Sequence, residues 1–570
     1  AKPLWLTDEM YAAIAARDSL LRSNGKDEQF KRQRNKVTAM KRAARKKYFS
    51  ELILSKKNTK LIWKAINQLS GKPSVSITPS TDNLSADSIN KHFISVAQKT
   101  VPIDHTKSND LLALKHFCES KNIQSKCKFD FTSAQEVYSE LSLLKQTNSR
   151  GLDDLDGKIL KISAPIISEH ITYIYNLCIE KSHFPQAFKE AKVLPFFKSG
   201  DPNDPSNYRP ISILSTLSKP LEKHLKGNLQ SHFLTHDLFH PNQSGFRKNH
   251  SCHTLLTSLI EQWHENINND LLSGTVFVDF AKAFDTIDHE LLLRKLVMYG
   301  LCPESIELVS SFLSNRRQVV LQGSVTSPLM PIKYGVPQGS VLGPILFSVY
   351  INDLPLNVST SCELFADDTT LHNKGKNANL VCTNLQKDID KVTEWSKLNH
   401  MALHPHKSKF MLITTRQKRQ NIKSKLPDLK VYDKVLEEVD SHNVLGLSID
   451  NNLSWSAHVS SLSKKLSKKV FQLNRIKHLL DEHTRKLFFY AYIQPDIDYA
   501  STCWDLASKN CLKRLESLYR RSLKLILLKS SSLLIEDYKK LNIFPFNLRC
   551  RFNKGVLMYK IMNNLAPPYL

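Results

Sequence analysis

Paired cysteines are missing from this chain: Cys118, Cys127, Cys178, Cys252, Cys302, Cys362, Cys382, Cys503, Cys511 and Cys550 contain no CxxC pair. That scatter argues against a zinc ribbon and against a secreted disulfide framework, and reads as a reducing compartment. Long apolar runs are missing too, since no stretch reaches the roughly 18 to 20 residues that a bilayer span requires, so no membrane partner is expected. Acidic residues are outnumbered, with Asp+Glu 54 against Lys+Arg 80 and a net charge of +26, which favours a polyanionic partner such as nucleic acid. Glycine is scarce at 16 in 570 residues, yet Gly335, Gly339 and Gly343 crowd into one short stretch. What remains is a globular composition, 41% hydrophobic and 24% charged, long enough at roughly 150 residues per domain for three or four domains. The chain starts with Ala1 rather than Met and stops abruptly at Leu570, as a segment of a longer product would.

Texture divides the chain at about residues 70, 128 and 450. Residues 1–70 read as basic helices, with Lys31, Arg32, Arg34, Lys36, Lys41, Arg42 and Arg45 followed by Tyr48, Leu52, Trp63 and Ile66 at helical spacing. Residues 71–128 lose that rhythm and read as linker-like. Residues 129–450 alternate short strands with amphipathic helices, and residues 451–570 return to helices with cationic faces, Lys513, Arg520 and Lys524 sharing one of them.

Acids stand where strands would carry them. Gly274-Thr275-Val276-Phe277-Val278 is a β-branched run that leads into Asp279, and Asp288 caps a helix that stops at Gly300. A second acidic pair, Asp367-Asp368, sits between two short apolar strands. Adjacent carboxylates at the tip of an apolar hairpin need a cation or solvent, and hard oxygen ligands of this kind suit Mg²⁺ held with substrate phosphates. Two such ions about 3.5–4 Å apart clamp an in-line phosphoryl displacement. Between the acids lies Tyr334-Gly335-Val336-Pro337-Gln338-Gly339-Ser340, a close-approach loop that opens a helix from about Ile345. Upstream, Arg209 and Arg247 stand beside turns, where arginine binds phosphate or joins a structural ion pair.

Taken in order, these segments resemble the reverse transcriptases of non-LTR (LINE-type) retrotransposons, most like the CR1, L2 and jockey-related groups. Asn207-Tyr208-Arg209-Pro210-Ile211-Ser212 and Gln243-Ser244-Gly245-Phe246-Arg247 resemble the two fingers motifs. Phe277 to Asp285 resembles motif A, Gly335 to Pro344 motif B, and Phe365-Ala366-Asp367-Asp368 motif C, with Phe365 where Tyr is commoner. Trp395, Asn399, Leu403 and Lys407 resemble motif D, and Leu445-Gly446-Leu447 motif E. The resemblance implies an α+β right-hand polymerase with fingers, palm and thumb, an antiparallel palm sheet, and basic helical regions on both flanks.

It further implies RNA-directed DNA synthesis from a primer 3′-OH, with an RNA template, a DNA primer or target, dNTPs and two Mg²⁺ ions that Mn²⁺ can replace. Asp279, Asp367 and Asp368 become the metal-binding and catalytic carboxylates, Asp368 the secondary one because successive strand side chains point to opposite faces. The Phe280 carbonyl completes a metal shell, Phe284 gates the sugar against a 2′-OH, and Gln338 and Gly339 line the incoming nucleotide. Arg209 and Arg247 reach the triphosphate or template, and Lys407 donates a proton to departing pyrophosphate. The family setting implies the nucleus, with cytoplasmic ribonucleoprotein assembly, and an endonuclease encoded upstream of Ala1. Two other readings are an RNA-copying RNA polymerase, which Phe284 disfavours, and a decayed or domesticated RNA-binding copy, which the intact acids disfavour.

Overall fold

The computed structural model describes residues 5–54, 84–100, 111–145, 149–422 and 426–570. Described residues within Ala1–Ser76 and Ser454–Lys560 cluster as one compact unit, and those within Ile77–Leu453 and Ile561–Leu570 as another.

The first unit is helical. Asp8–Asn24 packs along Glu28–Leu54, and Ser456–Ile476 along Lys509–Leu527. The last of these buries Leu515, Tyr519, Leu523 and Ile526; of the three cations that spacing puts on one face, Lys513 and Arg520 are exposed and Lys524 is half-buried. On the partner helix Lys465 and Lys469 are drawn onto Asp496, which leaves Lys464 and Lys468 as the outward charges. Trp63 and Ile66, expected to continue the first basic helices, lie outside the described residues.

The second unit mixes helix and sheet, as the α+β reading expects. The strands of its two larger sheets are, in chain order, β1 (Glu190–Phe197), β2 (Tyr208–Ile213), β3 (Leu272–Val278), β4 (Arg316–Gln322), β5 (Val325–Thr326) and β6 (Met330–Ile332). There follow β7 (Ser361–Phe365), β8 (Asp368–Gly375), β9 (Lys409–Ile413) and β10 (Glu437–Glu438). One sheet runs β2-β1-β4-β5, with β6 also on β4, and its β1–β4 pair is parallel. The other runs β10-β9-β3-β8-β7 and is antiparallel except for its β10–β9 edge.

In that second sheet β3 is central, and all seven of its residues are buried. A strand covered on both faces has no polar side, which explains its run of apolar and small residues instead of alternation. Helices Cys252–Asn268 and Ala378–Leu398 pack on it. The capping predicted for the helix after β3 is present: Leu291 N–H donates to Asp288 Oδ1 at 2.9 Å, and the helix runs His289–Met298.

The stretch 71–128, which reads as a linker, holds two packed helices in its described part, Ala86–Thr100 and Leu112–Ser120. The first is anchored by fully buried Asn90, whose side-chain amide donates to Ser327 Oγ at 2.8 Å and accepts from Gln318 at 2.9 Å. A polar residue pinned by partners more than two hundred positions away carries no periodic apolar signal, so the sequence rhythm concealed it.

Candidate active site

Sheet register brings the acids together. β3 pairs antiparallel with β8 so that Val278 faces Thr369, and one step further along each strand Asp279 comes level with Asp368. The β7–β8 hairpin closes through Ala366 and Asp367, with Phe365 paired to Asp368 and Ala366 at φ +56°. The Asp-Asp step is therefore the turn itself plus the first residue of β8. Gln243–Gly245 buttresses it: Ser244 N–H donates to the Leu364 carbonyl at 2.8 Å, and a Cβ on Gly245 would fall 2.4 Å from Ala366 N. No side chain larger than hydrogen fits there.

Asp279 is held by its backbone. Its N–H donates to Ser408 Oγ at 3.1 Å, and its carbonyl accepts from His404 N–H at 2.8 Å. This leaves the carboxylate facing Lys407, whose Nζ lies 3.7 Å from Asp279 Oδ2 with both side chains about half exposed. Such a pair is weak and easily exchanged for another partner.

The carboxylates feel one another. Solvent reaches both Asp367 and Asp368, yet the protein packed behind the turn desolvates them. Burial pushes Asp368 up to about 6, with further lift from Asp367 and then Asp279. Burial also raises Asp367, Asp279 adds to the rise, and Arg209 and Lys198 oppose it. Mutual repulsion of this kind is relieved by a cation. Among the described residues no group of three or more His, Cys, Asp or Glu side chains is close enough to cage a metal ion. A site of one or two carboxylates that leaves positions for water and substrate phosphate matches Mg²⁺ better than a protein-only cage does.

A cationic wall faces these acids. Arg209 lies exposed on β2 opposite Phe196 of β1, and it shares the field of Lys282 with Lys198 and Lys407. Lys282 reaches back to the Ser206 carbonyl at 3.2 Å, and burial first, then its basic neighbours, lowers its pKa. Sequence reading assigned no role to Lys198 or Lys282; the Lys198-Ser199-Gly200 turn and the charge inside the Phe277 to Asp285 run were the available signals. Arg247 departs from its expected role. Its Nη1 donates to the carbonyls of His240 at 3.0 Å and Gln243 at 2.9 Å, and its guanidinium lies 5.1 Å over the Phe239 ring. It ties the loop beside the hairpin instead of presenting charge to the acids.

The loop between the acids is sewn to both of its neighbours. Gln338 Nε2 donates to Asp285 Oδ1 at 2.8 Å, while Ser212 N–H of β2 donates to the Gln338 carbonyl at 2.9 Å. Burial raises Asp285 to about 6, and the Gln338 hydrogen bond moderates the rise. Gly339 stands at φ +148°, and a Cβ there would lie 2.1 Å from the Ser212 carbonyl oxygen. Behind the loop Glu222, fully buried, accepts from Val341 N–H at 2.6 Å, Leu342 N–H at 3.2 Å and Ser218 Oγ at 2.8 Å. Neither Asp285 nor Glu222 was singled out from sequence as a site residue. Phe284 stacks on Phe347 with centroids 4.2 Å apart at 17°, which fixes the ring plane. The Phe280 side chain is buried edge-on to Trp395, so only its backbone is available to a ligand.

Residues 198–449 match the family described as reverse transcriptase (RNA-dependent DNA polymerase). The chain is similar to the RNA-directed DNA polymerase from mobile element jockey of Drosophila melanogaster, 23% identical over 444 residues, 76% of this chain and 48% of that protein. It is 25% identical over 405 residues to the probable RNA-directed DNA polymerase from transposon BS of the same organism, 69% of this chain and 44% of that one. To the probable RNA-directed DNA polymerase from transposon X-element it is 25% identical over 395 residues, 67% and 43% of the two. The chain spans about half the length of these curated relatives or less.

Proposed function

We propose that this chain, whose residues 198–449 are a reverse transcriptase domain of the non-LTR retrotransposon kind, extends a primer 3′-OH on an RNA template with deoxynucleoside triphosphates. The observation that carries the reading is the register of β3 against β8, which levels Asp279 with Asp368 beside the Asp367 turn and opposite a wall of cations. In this reading the β3-centred sheet is the palm, the β1–β2–β4 sheet belongs to the fingers, and the helices after residue 453 supply the thumb.

Two divalent ions, Mg²⁺ with Mn²⁺ as substitute, would sit on Asp279 and Asp367, with the Phe280 carbonyl and Asp368 in support, and would activate the 3′-OH and stabilise the developing charge on the phosphate. The protein's own groups then do the following. Arg209, with Lys198 and Lys282, draws in and orients the triphosphate. Gln338 and Gly339 shape the floor under the incoming nucleotide, Asp285 holding the Gln338 amide. The Phe284 ring, locked by Phe347, blocks the space that a ribose 2′-OH needs. Lys407, released from Asp279, protonates the departing pyrophosphate.

Target-primed synthesis in the nucleus, with ribonucleoprotein assembly in the cytoplasm, is the setting we infer from the family. The undamaged acid set supports catalysis over a decayed RNA-binding copy. The test is extension of a DNA primer on an RNA template with Mg²⁺. Asp367→Ala should abolish it while RNA binding stays within about twofold of the parent. Equal extension by the variant would overturn the assignment.

A further inference from the structure

The segment Ile561–Leu570 belongs to the second unit, where it lies against the loop that buttresses the carboxylate hairpin. Its Pro567 is buried, the Asn564 carbonyl accepts from Asn249 Nδ2 at 3.5 Å, and the Tyr569 ring meets His250 edge-on with centroids 5.8 Å apart. The Tyr569 hydroxyl donates to Thr254 Oγ1 at 3.4 Å and shares a hydrogen bond with Ser244 Oγ at 2.9 Å. Burial raises the pKa of this phenol, so it stays protonated and able to donate.

Ser244 carries the effect of that contact inward. It is 1% exposed, and its side chain finds this partner 325 positions along the chain. A buried hydroxyl stripped of its partner bears a desolvation penalty that nothing offsets. The same residue's N–H donates to the Leu364 carbonyl at 2.8 Å, and Leu364 N–H donates to the Asn242 carbonyl at 3.0 Å, so β7 and the loop hold each other from both sides. Leu364 stands three residues before Asp367. Because Gly245 packs on the Ala366 backbone with no room for even a Cβ, a shift of the loop passes straight to the turn. Thr254 lies in the first turn of helix Cys252–Asn268, which packs on β3. One hydroxyl thus joins the helix behind β3 to the loop behind the hairpin.

We propose that Tyr569 is a positioning residue for the carboxylate site: its hydroxyl holds the Gln243–Arg247 loop against the β7–β8 turn and so fixes the Asp367 carboxylate relative to Asp279. It acts through Ser244 and Leu364. The inference rests on the polymerase reading of those acids as metal holders, whereas the clamp itself is a property of the fold and can be read without any nucleotide being added. A side chain that only filled space would lose nothing as phenylalanine, so Tyr569→Phe separates the two roles.

The experiment compares Tyr569→Phe with the parent, both as the full chain, by hydrogen exchange and by extension of a DNA primer on an RNA template. Tyr173→Phe, at a tyrosine 71% exposed, is the control and should match the parent in both. In Tyr569→Phe exchange should be about tenfold faster at the amides of Ser244 and Leu364 and unchanged along β3. The Mg²⁺ concentration for half-maximal extension should rise about three- to tenfold, with the dNTP KM and RNA binding within about twofold of the parent. A smaller active fraction would lower the plateau and leave that midpoint in place. Unchanged exchange at Ser244 and Leu364 overturns the clamp whether or not the parent extends a primer. A parent that extends none refutes the polymerase reading instead, and the exchange result still decides the clamp. Faster exchange with an unmoved Mg²⁺ midpoint would overturn the positioning role and reduce Tyr569 to a packing contact.

Discussion

Replacing Gly339 by alanine puts one methyl group where the backbone leaves no room. The new Cβ would stand 2.1 Å from the Ser212 carbonyl oxygen, against the roughly 3.4 Å of ordinary contact, so β2 and the loop must part by about 1 Å. The φ of +148° adds backbone strain of order 1–3 kcal/mol, and losing the adjacent Ser212 N–H to Gln338 carbonyl bond removes about 0.5–1.5 kcal/mol. The sum, about 2–4 kcal/mol, is felt first as displacement of the Gln338 amide from Asp285. A misplacement near 1 Å beside a reacting centre costs on the order of 100-fold. Steady-state primer extension across a dNTP titration should therefore show kcat/KM down about 30- to 100-fold, with a melting temperature several degrees lower. Gly227→Ala is the control: it is exposed inside helix Ser218–Thr235 with nothing within 4 Å of its Cβ, and it should gain about 0.5–1 kcal/mol. Activity within twofold of the parent for Gly339→Ala would refute the close approach on which this reasoning rests.

Three other outcomes are expected. Asp285 is raised from its ordinary carboxylate value to about 6 in the fold, so its contribution to stability is fully present below about pH 4 and lost as pH climbs through 6. Thermal melts of Asp285→Asn between pH 4 and 7 should show a flatter decline than the parent, and parallel curves would contradict the burial argument. Phe284→Ala should shift discrimination between dNTP and rNTP by about tenfold or more toward rNTP, read as a ratio of kcat/KM values; an unchanged ratio removes the gate. Lys295, fully buried, donates to Asp353 Oδ1 at 2.7 Å and to the Tyr350 carbonyl at 2.6 Å. Lys295→Met strands a buried carboxylate and should cost about 3–5 kcal/mol in urea unfolding; a loss under 1 kcal/mol would mean that Asp353 finds another partner.

Local chemistry was readable where it repeats or caps. The β-branched run of β3, the Asp288 cap and the helix after Gly343 all follow from neighbours in sequence. Register was not readable. Nothing near Ser212 announces Gln338 as its acceptor, and nothing near Glu222 announces the two N–H groups it receives more than a hundred residues later. Arg247 illustrates the same limit from the other side: arginine beside a glycine turn suits phosphate, but two nearby carbonyls claimed it first. Asn90 shows how a buried polar anchor turns an apparent linker into a packed helix.

The tight pairing of β3 with β8 also constrains how such a chain can diverge. Because the hairpin turn spends only Ala366 and Asp367 between paired Phe365 and Asp368, a single inserted or deleted codon anywhere from Leu272 to Asp279 or from Asp368 to Thr369 would reverse which side chains face inward. Length variation among descendants should therefore collect in the outer connections, such as the exposed Gly323-Ser324 turn between β4 and β5, and leave this hairpin the same length in every copy that still replicates.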